Sequence, residues 1–197
     1  MKILIVLAHP KSGSFNHAIA GAALKTLKNK GHEVILRDLY AEGFDPLLDN
    51  DELPQSGEIP LDIRKHCDDL RFADGIIIVH PNWWGQPPAI MKGWIDRVIR
   101  PGVAYRFLDG DGGDGVPVGL LRAKAALVFN TSNTPEAREM DAFGDPLENI
   151  WKRCICGFCG VKTFHRRMFR VLVASSPDER AAWLKEVEEL CSTTFSH

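Results

Sequence analysis

This chain predicts one doubly wound α/β domain spanning residues 1–197, a five-stranded parallel sheet with helices on both faces. Three observations carry that expectation. Short β-branched runs at 2–8, 33–37, 75–80, 124–130 and 168–174 alternate with helical patterns at about 16–29, 62–73, 88–99, 145–157 and 177–192, the alternation that βαβ units produce. A length of 197 residues, 45% of them hydrophobic, suits one core that buries roughly 70% of the unfolded chain's surface. Several helix boundaries also carry capping chemistry, and right-handed crossovers leave few topologies to choose from.

The first strand, Ile3 to Ala8, gives way at once to His9 and Pro10. It is too short for a signal peptide's apolar region or a membrane span, so a cytoplasmic protein with no integral membrane segment is expected. HPKSGSFN, His9 to Asn16, then turns the strand into an alanine-rich helix that Asn16 can cap and Gly31 can end in the left-handed conformation. Such a junction is an anion site, because the first helical N–H groups are unpaired and the helix dipole favours negative charge. The segment lacks GxxxxGK[ST] and GxGxxG, which removes the P-loop and the usual dinucleotide fingerprint; an ordinary capped turn is the alternative. The connection 38–61, rich in Asp, Pro and Gly, and the connection 100–118 with its GDGGDG run are long, and long loops in compact domains are functional or mobile. GDGGDG lacks the oxygen spacing and terminal glutamate of a calcium loop and reads as a flexible turn.

The third strand runs into PNWWGQPP at 81–88, where two adjacent indoles and proline-flanked amides offer a resting place for a planar heteroaromatic. Adjacent residues in a turn do not readily face one core, so at least one indole should line a cleft. The helix that follows packs Met91, Trp94, Ile95 and Val98 on the sheet. The fourth strand ends in NTSNT, 130–134, which offers donors to a carbonyl-rich ring edge and also suits a loop or helix cap. In the next helical pattern Leu147, Ile150, Trp151, Cys154, Ile155 and Phe158 fit one face, so the CICGFC run reads as buried thiols, with no metal expected. The five cysteines, at 67, 154, 156, 159 and 191, show no disulfide spacing. His165, Arg166, Arg167 and Arg170 read as a solvated basic strand end. The last helix opens on the capping box Ser176-Pro177-Asp178-Glu179 and turns Trp183, Val187 and Leu190 inward.

With 24 basic residues scattered among 26 acidic ones and a net charge of −2, the chain lacks the basic face that a nucleic acid would require. Small molecules are the better candidates. In open parallel sheets they bind outside the carboxyl ends of the strands, where strand order reverses, and there His9–Asn16, Pro81–Pro88 and Asn130–Thr134 should converge. A phosphate end beside a planar polar ring describes a flavin nucleotide.

LAHPKSGSFN, DLYAEGFDP at 38–46, HPNWWGQPPAIMKGWIDRV at 80–98 and GVAYRF at 102–107 resemble the NAD(P)H:quinone oxidoreductase family of flavodoxin-like flavoproteins, in register over roughly residues 1–135. That resemblance implies that His9, Ser14, Phe15 and Asn16 bind the phosphate side of the flavin. Pro81, Asn82, Trp83, Trp84 and Gly85, with Thr131, Ser132, Asn133 and Thr134, would hold its ring, while Tyr105 and Phe107 would shape the substrate pocket. FAD is the cofactor it implies, with FMN as the alternative and NAD(P)H as co-substrate. Hydride would pass from NAD(P)H to flavin N5, and two electrons would then pass to a quinone or similar acceptor on the same flavin face. Donors from the 131–134 loop, Asn133 first among them, would stabilise charge at the flavin N1–C2=O edge. The chain departs from the family where FAD-binding members often carry TTGG after the fourth strand and a downstream tyrosine–histidine pair. It reads NTSNTPEARE there, without such a pair, and has Gly85 where an aromatic follows the tryptophan. Relatives form homodimers that share residues around the substrate, which implies a homodimer here. Other relatives act as ancillary regulatory subunits of potassium-efflux membrane systems, which implies, alternatively, an interaction protein with a peripheral membrane partner.

Overall fold

The computed structural model describes residues 1–53, 58–108, 110 and 115–196. Its main sheet contains β1 (Lys2–Leu7), β2 (Glu33–Asp38), β3 (Gly75–Pro81), β6 (Ala125–Ser132) and β7 (Thr163–Arg170), all parallel in the order β2-β1-β3-β6-β7. A two-stranded antiparallel ribbon, β4 (Tyr105–Arg106) with β5 (Val118–Gly119), lies in the connection after β3 and its helix. The helices are α1 (Phe15–Asn29), α2 (Leu61–Phe72), α3 (Ala89–Val98), α4 (Glu136–Phe143), α5 (Pro146–Asn149) and α6 (Pro177–Thr194). This is the expected doubly wound, flavodoxin-like arrangement, and strand order reverses between β1 and β3.

The period of two along each strand divides the core. Ile3, Ile5 and Leu7 face α1 and α6 together with Leu27, Val187 and Phe195. Leu4, Val6 and Ala8 face α2, α3 and α5 together with Leu70, Trp94 and Trp151. With both faces covered, β1, β3 and β6 are buried almost throughout.

Five details differ from the sequence expectation. Ser14, not Asn16, caps α1, its hydroxyl accepting from the His17 N–H, although Gly31 does follow the helix with φ +82°. The last strand lies at Thr163–Arg170, not 168–174, because its charged side chains are neutralised by the covering helices. Arg166 pairs with Asp145 and Glu148, and Arg167 pairs with Glu186, so the basic residues read as solvated belong to an edge strand, with Arg166 only 6% exposed. The apolar stretch beyond it leaves the sheet through a short 3₁₀ turn, Leu172–Ala174. The helix expected at 145–157 is α5 continued as a wider π-helical segment, Ile150–Gly157; this rotates the face, so Cys156 is buried and Cys154 is exposed. Helix α4 was not foreseen, because Glu139 is its one buried residue and no apolar stripe marks it. Residues 111–114 of GDGGDG, and 54–57 of the 38–61 connection, lie outside the described residues.

Candidate functional site

The carboxyl ends of β1, β3 and β6 bring the three expected segments together. At the first, His9 Nδ1 lies 3.1 Å from the Lys11 nitrogen and 3.3 Å from the Lys11 carbonyl oxygen; burial, with the nearby His17 and Lys11 in the same direction, lowers the His9 pKa although the contact to the Lys11 carbonyl opposes it. Asn16 is buried at the start of α1 and donates through Nδ2 to Thr131 Oγ1 at 2.9 Å, which ties the first segment to the third. Its Oδ1 has no partner among the described residues. Phe15 turns its ring into the core against Phe169 and Trp183, so what it presents at the helix N-terminus is backbone.

At the second segment Asn82 N–H donates to Thr131 O at 2.7 Å, extending the β3–β6 ladder past Pro81. Trp83 and Gln86 then exchange backbone hydrogen bonds of 3.1 and 3.0 Å. The two residues between them, Trp84 at φ +58° and Gly85 at φ +70°, lie in the left-handed region, as the mirror-image turns require. Glycine at 85 is also demanded by space, since a Cβ there would lie 2.7 Å from Pro146 Cγ. Both indoles face out. Trp84 is fully exposed, and Trp83 is 41% exposed with its ring centroid 6.4 Å from that of His9.

The third segment is more enclosed. Thr131 and Ser132 are buried, and Ser132 Oγ accepts the Thr134 N–H at 3.1 Å. Asn133 is exposed, and its Oδ1 accepts the Val173 N–H at 2.9 Å, which leaves the amide nitrogen as the donor end. A cavity of about 430 Å³ opens beside these loops, with Asn82, Trp84, Gly85 and Thr134 on one side and Arg138, Phe143 and Pro146 on the other. Its size lies within the range of small-molecule pockets.

A polar network absent from the sequence reading supports this edge from below. Asn82 Nδ2 donates to buried Glu139 Oε1 at 2.6 Å, and Arg170 reaches Glu139 Oε2 at 3.3 Å; Asn82 Oδ1 has no partner among the described residues. His80 Nδ1 donates to Pro81 O at 2.8 Å, and its Nε2 accepts the Trp151 indole N–H at 2.9 Å. These contacts select the Nδ1–H tautomer. Asn130 Nδ2 touches the same ring at 3.1 Å, and its Oδ1 accepts from Arg166 at 3.3 Å. Burial, with the Arg166 charge in the same direction, pushes the His80 pKa down to about 4 although the Pro81 contact opposes it, so the ring is neutral at pH 7. No local motif could have exposed this network, because its members come from β3, β6, β7 and the segment after α5.

Tyr105 and Phe107 do not line the cavity in a single chain. The expectation that they have little local core holds for Phe107, which is 41% exposed. It fails for Tyr105, whose ring packs on Phe158 at a centroid distance of 4.9 Å and against the α2–α3 side of the core. Among the described residues no helix is long and apolar enough to cross a membrane.

Comparison with known proteins agrees with this geometry. The model of the flavodoxin-like fold family matches residues 1–191. The chain is 36% identical over 174 residues to an uncharacterized NAD(P)H oxidoreductase of Haemophilus influenzae, a match covering 86% of this chain and 83% of that protein. It is 30% identical over 213 residues to NAD(P)H dehydrogenase (quinone) 1 of Rattus norvegicus, covering 95% and 76%. Its fold superposes on the crystal structure of Smu.1420 from Streptococcus mutans UA159 with a TM-score of 0.83 and 31% identity, over 98% of this chain and 100% of that one.

Proposed function

The chain belongs to the flavodoxin-like NAD(P)H:quinone oxidoreductase family, and from that premise we propose that it is a flavin-dependent enzyme reducing quinones or similar acceptors with NAD(P)H. The carrying observation is the convergence of a helix N-terminus, an indole-bearing turn and a polar strand end on one sheet edge. Two polar atoms at that edge, Asn16 Oδ1 and Asn82 Oδ1, are buried without partners among the described residues. Orphaned acceptors of this kind cost stability unless a ligand donates to them. A flavin nucleotide fits: its hydroxyls and ring N–H are donors for these oxygens, and its phosphate suits the N–H groups of α1. FAD is the proposed form, with FMN as the alternative.

A bound flavin would supply the redox chemistry, a two-electron exchange between NAD(P)H and the acceptor. His9, Ser14, Phe15 and Asn16 hold its phosphate side. Pro81, Asn82, Trp83, Trp84 and Gly85 cover one part of the ring, and Thr131, Ser132, Asn133 and Thr134 bind its polar edge, with the Asn133 amide stabilising charge there. The reciprocal backbone bonds of the Trp83–Gln86 turn fix the main chain that carries the indoles before ligand arrives. Exposed Trp84, Met140 and Phe143 form an apolar rim on the α4 side, which supports a homodimer in which the partner closes the pocket. Tyr105 and Phe107 are then proposed to reach a substrate pocket across the dimer.

Reconstitution with FAD and with FMN, followed by gel filtration and steady-state assay, tests this reading. Stoichiometric retention of one flavin and parallel double-reciprocal lines for donor and acceptor are expected. Trp83→Ala should weaken retention. A protein that holds neither flavin, or intersecting lines, would remove the shared-site oxidoreductase.

A further inference from the structure

Beside the phosphate-side segment stands a row of three polar side chains whose hydrogens are set by their neighbours. His17 Nε2 lies 3.1 Å from Asp38 Oδ2, and His17 Nδ1 lies 2.8 Å from Ser14 Oγ. A carboxylate only accepts, so Nε2 carries a hydrogen, and in neutral His17 the lone pair is on Nδ1. The single hydroxyl hydrogen of Ser14 then points at that lone pair. Ser14 Oγ meanwhile accepts the His17 N–H at 3.4 Å, so Ser14 has nothing to donate to an anion at the start of α1. Turning the hydroxyl toward a phosphoryl oxygen would leave two lone pairs facing each other across 2.8 Å. A second proton on His17 removes the conflict, because Nδ1–H donates to Ser14, Ser14 donates to the phosphate and Nε2–H stays on Asp38.

We propose that Asp38, His17 and Ser14 form a proton-coupled clamp, in which a phosphate-bearing ligand binding at the N-terminus of α1 draws one solvent proton onto His17 Nδ1. The clamp rests on the flavin-nucleotide reading of this site and deepens it. His17 is a positioning residue that acts through Ser14. The charged and titratable groups around the row are Asp38, whose Oδ1 is held by the Ala41 N–H at 3.2 Å, and His9, with ring centroids 6.3 Å from His17. Lys11 acts on His9, and Glu42 lies near Asp38. Buried Asn16, with its unpartnered Oδ1 on the next residue, independently marks the place as one that receives a ligand. Binding of the ligand therefore tightens as the pH falls, approaching about tenfold per pH unit where His17 of the free protein is neutral.

Calorimetric titration of the full-length, flavin-freed protein with FMN, at about pH 8, above the phosphate's second ionisation, in buffers of different ionisation enthalpy, counts the protons. Close to one proton should be taken up with FMN and none with riboflavin, which lacks the phosphate. His17→Gln and Ser14→Ala should each lose the uptake and flatten the pH dependence of FMN affinity. A purely structural role for His17 would leave the proton count unchanged. Absence of uptake with FMN, or uptake that survives His17→Gln, overturns the clamp. If neither FMN nor FAD binds, the flavin reading fails, and inorganic phosphate decides the clamp separately. In nitrogen-15 spectra of labelled histidine, phosphate must raise the His17 titration midpoint, and an unmoved midpoint refutes the proposal.

Discussion

Trp84 shows most plainly what the site asks of a single amino acid. It has φ +58°, a region where a side chain costs about 1 kcal/mol or more, yet its ring is wholly exposed and has no packing in the single chain to offset that cost. Trp84→Gly should therefore raise the unfolding free energy of the monomeric chain by about 1 kcal/mol in urea titrations while weakening flavin or acceptor binding. His80 presents the opposite case, a buried residue whose charge state matters for stability. Its folded pKa of about 4 lies below the ordinary 6.5, so protons favour the unfolded chain. His80's contribution is complete above about 6.5, falls as the pH drops from 6.5 toward 4, and levels off below that. His66, also pushed down to about 4 by burial, adds a second such slope. Urea midpoints for His80→Gln should thus be lower at neutral pH but shallower across this window. The residues that stand in sequence beside a strand end, His9 to Asn16 and Pro81 to Gly85, were legible because turn chemistry is local. His80 and its partner Trp151, 71 positions apart, were not.

The elements teach a related lesson through β7. Its basic residues looked solvated, because their partners Asp145, Glu148 and Glu186 belong to helices that periodicity alone could not lay across the strand. Arg166 is the tie between β7, β6 and the start of α5, bonding Asn130, Asp145 and Glu148 together. Removing one member of such a buried set strands the others, so Arg166→Ala should cost roughly 3–5 kcal/mol by urea or thermal unfolding. Loss of far less would mean that water replaces the guanidinium. Strands β1, β3 and β6 and helices α1, α3 and α6 were readable from their apolar pattern, and in α6 the capping box agreed with it. Helix α4 and the ribbon β4–β5 were not, since one has no apolar stripe and the other pairs only two residues on each strand.

Together these elements place the polar sheet edge next to an apolar rim, and the rim sets the expected assembly. Trp84 and Phe143 border the cavity while remaining exposed, Met140 is exposed on the same helix as Phe143, and a two-fold partner would cover both copies of the patch at once. Light scattering should give the mass of two chains, and Phe143→Glu should give one chain with reduced turnover. An active wild-type monomer at every dilution would contradict the shared pocket. Flavin-mediated transfer itself is decided by anaerobic half-reactions on the purified protein. Addition of NADH or NADPH should bleach the visible absorbance of its bound flavin in a one-to-one titration, and a quinone should restore it in equal amount. A protein that carries no flavin, or whose flavin neither donor bleaches, would contradict the proposed enzyme.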